Sequence, residues 1–348
     1  MAPYTSSKVM EEEGGATDRG SIMISAEQDF TNPAKLRARQ DYLRSRSAIE
    51  QAGRQVTFNL LRAQAKDAYY NWVVLEKRMA IIRENERIMT YMLKLARIRY
   101  PYGQSQLGNV YRAEARLNEV ENMKVMTTNA IAQQNVQLNM LMNLPKDTQY
   151  RIDTAVAAPQ AVPLAVDTAS LSNFRSDLRQ LDKTIESMRL SVRMEQFQRK
   201  PDFRIRFDHM SPRNNMMPRQ FTAMGMVSIP IVPWSSKMYK ANVRGMNLEI
   251  QSMQRERAGI VNEAEAMIRS MALEVNTMHQ RVQNYRQKIL PALRKNYDVT
   301  MLAYEQNKAE LFDVLSAWEA LNMGNMAYLD DLQALYKMTV NYEKELEK

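Results

Sequence analysis

Tyr304-Glu-Gln-Asn307-Lys-Ala-Glu-Leu311-Phe-Asp313-Val314-Leu-Ser316-Ala317-Trp-Glu-Ala-Leu321-Asn322 is the stretch on which the reading of this chain turns, because an earlier stretch repeats it. Tyr100-Pro-Tyr-Gly103-Gln-Ser-Gln-Leu107-Gly-Asn109-Val110-Tyr-Arg-Ala113-Glu-Ala-Arg-Leu117-Asn118 carries Tyr, Leu, Val, Ala, Leu and Asn at the same spacing, about 204 positions upstream. A fixed period of about 20–50 residues would mean stacked solenoid units. An offset this long means two copies of a whole module.

Upstream of each copy lies a long helical pattern. Phe58, Leu61, Ala65, Ala68, Trp72, Leu75, Met79 and Ile82 alternate steps of three and four, then continue through Met89, Met92 and Leu95 to Ile98. Val261, Ala264, Ile268, Met271, Val275, Met278, Val282, Tyr285 and Ile289 do the same. Such seams pack helices side by side, knobs into holes. Leu293 and Tyr297 then follow at steps of four, a phase shift that unwinds a supercoil locally, and Pro291 predicts a kink there. The patterns predict helices over about 35–99 and 235–302. Each ends at the repeated Tyr, breaks at Pro101–Gly103 or Glu305–Asn307, and returns over about 106–144 or 310–345. Gly103 and Asn307 suit the left-handed backbone of a helix end. Each copy is thus an antiparallel helical hairpin.

Before each long helix the period changes to two. Phe203-Arg204-Ile205-Arg206-Phe207-Asp208 alternates apolar and charged, the pattern of a strand with one wet and one dry face. The expected strands are about 202–210 and 222–232 in the second copy, and 3–10 and 21–30 in the first, read as two β-hairpins. Ser235 is the expected cap of the helix after Pro233-Trp234. A Pro- and Ala-rich linker, 146–169, separates repeat 1 (1–145) from repeat 2 (170–348). A further helix over 173–199 has no counterpart in the first copy, so the chain begins one helix late. The expected fold is mainly α with a small β part.

Composition excludes several functions. With Cys absent and only His209 and His279 present, disulfides, thiolate sites and most imidazole chemistry are excluded. No phosphate loop, His/Glu metal pair or nucleophile motif appears, so an enzyme is not expected, nor a cofactor, nor a resident metal. The net charge of +9 is spread along helix faces rather than gathered with aromatics, which argues against nucleic acid. Neither an apolar helix of membrane-spanning length nor a signal peptide is visible. Most of the 27 Met occupy apolar helix positions, as flexible core fillers. Met216-Met217, near Met210, Met224 and Met226, is the one group whose thioethers merit a test for metal.

Strand pair, very long helix, tip with Gly or Asn three residues past Tyr, and return helix, all twice, resembles the TolC-like outer-membrane efflux proteins (outer membrane factors). The most specific parts are the two tips and the junctions Ile229-Pro-Ile-Val-Pro-Trp234 and Phe30-Thr-Asn-Pro33, together with Ser176-Asp177-Leu178 and Pro201-Asp202-Phe203. Within the family, the branch paired with heavy-metal efflux pumps is the nearest in appearance. The resemblance implies a homotrimer with a shared twelve-stranded barrel in the outer membrane and a hollow α-barrel in the periplasm. Phe203, Ile205 and Phe207 would face lipid and Arg204, Arg206 and Asp208 the lumen, with Trp234 at the membrane interface. The tips, through Tyr100, Gly103, Leu107, Tyr304, Asn307 and Leu311, would dock a periplasmic adaptor (membrane fusion) protein serving an inner-membrane pump. Asp313 would form a periplasmic gate ring, singly charged per protomer because Ser316 and Asn109 stand at related positions. Its local reading is an acid complementing a helix dipole.

The implied function is a passive exit duct for solutes such as metal ions or drugs. The absent signal then implies a start missing from this chain. The rival reading is a cytoplasmic coiled-coil scaffold, which accounts for the seams but not for the alternating strands.

Overall fold

A computed structural model describes residues 21–103, 105–164, 174–212, 219–229 and 233–347, those at 21, 212 and 233–236 by backbone alone. The expected strand 3–10 and Met216-Met217 lie outside the described residues, as does the side chain of Trp234. The elements run β1 (Ser21–Phe30), α1 (Pro33–Arg99), α2 (Leu107–Leu141), α3 (Ser176–Gln196), β2 (Asp202–Pro212), β3 (Gln220–Ser228), α4 (Pro233–Asn284), a π-turn (Tyr285–Ile289), α5 (Leu290–Glu305) and α6 (Leu311–Glu345). The chain is mainly helical with one small sheet, as expected. No described helix is long and apolar enough to cross a membrane. Two compact units emerge, Met1–Ile49 with Asp182–Gln254 and Glu50–Leu181 with Arg255–Lys348, each drawing on both halves of the sequence.

The first unit carries the antiparallel sheet β1-β2-β3. β2 and β3 form the expected hairpin, with Asp202 opposite Ser228. β1 pairs along its whole length with β2, Phe30 opposite Phe203 and Ser21 opposite Pro212, so the sheet joins the two sequence copies. The strand-to-helix junction is built by Asn32. Its Oδ1 accepts from the Ala34 N–H at 3.0 Å, capping α1 with Pro33 in the first turn. The Asn32 N–H in turn donates to Asp202 Oδ1 at 3.1 Å, and Lys35 pairs with the same carboxylate. At the other junction Pro233 opens α4, two residues before the expected cap Ser235. Proline suits that place because its missing N–H would have had no helical partner.

The second unit is a bundle of long helices. Its largest core runs from Ile82 to Ala96 on α1, Val110 to Val120 on α2, and Tyr297 to Leu321 on α5 and α6. The seams hold in part. Ala68, Trp72, Met79, Ile82, Met89 and Met92 are buried, but Phe58, Leu61 and Ile98 are exposed, with Asn59 and Ala63 turned inward instead. In the second seam Ile289 is exposed rather than packed. The cause is the π-turn. It inserts one extra residue into the helical ladder, and the Leu290 N–H reaches the Tyr285 carbonyl. This absorbs both the phase shift and the missing N–H of Pro291, where a plain proline kink was expected. Leu290 and Leu293 then meet Gly324 on α6, where an added Cβ would lie 2.6 Å from Leu293 Cδ1.

Buried polar groups set the register of this bundle. Asn85 Nδ2 donates to Asn322 Oδ1 at 2.7 Å, and Trp318 Nε1 donates to Asn85 Oδ1 at 3.0 Å. The described part of the linker is pinned by side chains from the helices. Asn276 bonds both the N–H and the carbonyl of Val162, and Tyr336 Oη donates to the Ala157 carbonyl. Asn139 Nδ2 donates to the carbonyl of Thr148 at 2.9 Å. Near the C-terminus Arg175 bridges Asp177 and Glu345, while Glu347 accepts from both the N–H and the hydroxyl of Ser176.

Candidate functional site

Two regions carry surface chemistry, and they lie in different units. The first is the sheet. Its register sorts the side chains completely, because opposite residues share a face and alternate residues do not. Ile22, Ile24 and Phe30 of β1 share one face with Phe203, Ile205 and Phe207 of β2 and with Phe221 and Val227 of β3. All of these are exposed. The opposite face holds Glu27, Asp29, Arg204, Arg206, Asp208 and Thr222. There Arg204 pairs with Glu27 at 2.7 Å and with Asp29 at 2.6 Å, and Arg206 pairs with Asp208 at 2.8 Å. The face is thus wet and ion-paired, with three carboxylates against two arginines. An exposed apolar sheet face opposite an ion-paired one marks a surface that meets lipid or another protein. His209 lies on the apolar face, its ring stacked on Phe221 at 4.4 Å.

The second region is the pair of tips in the helical unit. A pocket of about 600 Å³ is lined there by residues of both, among them Arg99, Gly103, Asn109, Tyr304, Asn307 and Asp313. Gly103 (φ 70°) and Asn307 (φ 59°) both adopt the left-handed backbone, as their matched places in the repeat predict. The other matched residues differ sharply in environment. Tyr304 is 3% exposed and Leu311 1%, whereas Tyr100 is 44% exposed and Leu107 42%. The second copy's tip residues form core, and the first copy's lie on the surface. Burial pushes the Tyr304 phenol above its usual range, against the opposing charge of Arg99. Asp313 is exposed and closes a capping box on α6: its Oδ2 accepts from the Glu310 N–H at 3.1 Å while its own N–H bonds Glu310.

The residue that sequence reading missed is Arg99. It ends α1, is 8% exposed, and donates from Nη1 to the Tyr304 carbonyl and from Nη2 to the Glu305 carbonyl. A cation at the last carbonyls of α5 is favoured by the helix dipole. The only sequence signal for it was an arginine beside a repeated tyrosine.

Residues 2–144 match the family model described as outer membrane efflux protein. Among curated protein sequences none matches significantly. Among solved structures, the outer-membrane channel OprN is 15% identical, with a TM-score of 0.73 over 94% of this chain and 82% of that one. The outer membrane protein VceC of Vibrio cholerae is 16% identical, with a TM-score of 0.70 over 94% of this chain and 79% of that one. The Campylobacter jejuni CmeC outer membrane channel is 12% identical, with a TM-score of 0.71 over 94% and 77%. At such identities the likeness speaks for the fold, and that fold is an outer-membrane channel's. Nothing in it supports a coiled-coil scaffold.

Proposed function

We propose that the chain is the outer-membrane exit duct of an efflux assembly, because residues 2–144 match the outer membrane efflux protein model and the fold resembles that of outer-membrane channels. The observation that carries this reading is the split sheet. Its apolar face suits lipid, its ion-paired face suits a water-filled lumen, and both require closure with further strands. Three strands alone leave open edges, which a barrel of several protomers would remove. We take that assembly to be a homotrimer. Transport through it is passive, with energy supplied by an inner-membrane pump through a periplasmic adaptor.

The tips are the docking and gating end in this reading. Tyr100 and Leu107, exposed on rigid helix ends, offer apolar contact to an adaptor, while Tyr304 and Leu311 hold the tip together from inside. Gly103 and Asn307 shape the turns. Asp313, exposed beside the tip pocket, supplies one negative charge per protomer to a gate ring. Trp234 is the second residue of α4, a few residues after the sheet in sequence, the place for an interfacial aromatic.

The test is cell fractionation of an expressing strain, followed by the mass of the detergent-extracted particle. Recovery from the outer membrane as a trimer is expected. A soluble monomer or dimer would overturn the proposal.

A further inference from the structure

The two faces of the sheet differ in a way that polarity alone does not require. Every Ile, Val and Phe in the described strands lies on the apolar face, and no Met does. Met23, Met210, Met224 and Met226 all lie on the polar face, where they are the only apolar side chains among those described. All four are substantially exposed. If this face needed only bulk, the Ile and Val used opposite would serve. What the four residues share is the thioether, a soft ligand that selects Cu(I) and ions like it.

Their placement fits that chemistry. Met23 and Met210 stand directly opposite each other on adjacent strands. Side chains so placed have Cβ atoms about 4.5–5.5 Å apart, within reach of a single ion between two sulfurs. Met224 and Met226 are alternate residues of β3 on the same face, and Met224 lies about 14 Å along the strand from the level of Met210. The nearby cations offer little repulsion, since Arg204 is held by Glu27 and Asp29 and Arg206 by Asp208.

We propose that the polar face of this sheet is a thioether track for soft monovalent metal ions, Cu(I) and Ag(I), with Met23 and Met210 as its binding pair. That such ions travel outward along it rests on the duct reading; that they bind does not. Two sulfurs hold an ion weakly enough to release it, which a conduit needs.

The test uses the full-length protein in detergent, labelled with 13C at the methionine methyls, titrated with silver nitrate in chloride-free buffer. Silver keeps its oxidation state, so no redox step intervenes. The resonances that disappear in Met23→Leu and Met210→Leu should shift first in the wild-type protein, ahead of buried methionines such as Met89. The double Leu variant should lose that first step. In cells it should lower silver tolerance while leaving export of an organic dye unchanged. If Met23 and Met210 shift no earlier than the buried methionines, or the double variant keeps both step and tolerance, the track is overturned while dye export still supports the duct. If wild-type cells export neither dye nor silver, the duct reading fails, and the titration alone decides the site.

Discussion

The guanidinium carbon of Arg99 sits 4.2 Å from the centre of the Tyr304 ring, and the same side chain bonds the carbonyl of that tyrosine at 2.9 Å. One residue therefore clamps the ring and caps the helix that carries it. Arg99 ends the long helix of the first copy, and Tyr304 belongs to the second, so the clamp ties the two tips together. The repeat gives it no twin: the residue before Tyr304 is Ala303. Tyr100 is left on the surface, while Tyr304 lies in the core. The sequence copies match, but the structure uses one to close the tip and leaves the other on the surface.

Replacing Arg99 with Ala should loosen the second tip selectively. It removes two charged hydrogen bonds, worth about 1.5–3 kcal/mol each in general, and a cation–π contact. Arg99→Lys should not restore it, since an ammonium cannot span two carbonyls and stack on a ring at once. Amide hydrogen exchange should quicken around Tyr304 to Leu311 and change little near Trp72. Uniform acceleration across both regions would show that Arg99 merely supports the whole bundle.

Gly324→Ala should change sign with its surroundings. The helix gains about 1 kcal/mol from alanine, but the new Cβ meets Leu293 Cδ1 at 2.6 Å and Leu290 Cδ2 at 3.4 Å. Overpacking of this kind costs about 1–3 kcal/mol. In the wild-type background the substitution should lower the melting temperature, and in a Leu293→Ala background it should raise it. Equal effects in both backgrounds would mean that Gly324 does not mark a close approach.

How much of this was legible in the sequence follows the range of the interactions. Strand β1, both tips and the faces of β2 were readable because a two-residue period, a left-handed turn and a repeated motif are local signals. The Arg99 clamp was not, since its partners lie about 205 positions away and arginine near a helix end has many uses. The pairing of β1 with β2 was likewise hidden, because register across the chain leaves no local trace. The π-turn was half visible: the broken spacing at Leu293 and Tyr297 and the Pro291 ring marked the place, but a kink and an inserted residue answer the same pattern. Phe58 and Leu61 kept the spacing of a seam yet lie exposed. Their spacing says only that they share a face, not that this protomer covers it.

Alkaline pH should destabilise the helical unit partly through Tyr336. Burial and the neighbouring tyrosines, Tyr70 first among them, push its phenol up to about 12. A group whose pKa is raised by folding contributes stability that is complete below its unfolded value of about 10 and is lost as pH rises through the folded value. The loss should therefore fall between about pH 10 and 12. Tyr336→Phe should cost about 1 kcal/mol at neutral pH through the lost bond to the Ala157 carbonyl, yet shrink the alkaline drop. Melting temperatures of both proteins across this range decide the matter, and parallel curves would refute the assignment.

Asp313 has a local duty in the capping box and, in the proposed duct, a second one at the gate. The two separate under charge reversal. Asp313→Asn keeps an acceptor oxygen for the Glu310 N–H while removing the charge, and Asp313→Lys reverses it. Single-channel recordings in planar bilayers should show cation preference falling in the order wild type, Asn, Lys. A preference unchanged in both variants would leave Asp313 as a helix cap alone.

The faces of the sheet make opposite predictions for the same substitution. Phe207 and Thr222 lie on adjacent strands but on opposite sides, Phe207 facing away from the ion pairs and Thr222 standing beside Asp208. An arginine at Phe207 would sit in lipid if the sheet belongs to a barrel, at a cost of about 2–4 kcal/mol near the midplane. An arginine at Thr222 would face the lumen within reach of a carboxylate. Phe207→Arg should therefore deplete the protein from the outer-membrane fraction, while Thr222→Arg should leave its recovery near wild type. If the sheet packed in water instead, Phe207→Arg would relieve an exposed apolar patch and raise soluble yield. The direction of that one change separates a membrane barrel from a soluble β-subdomain.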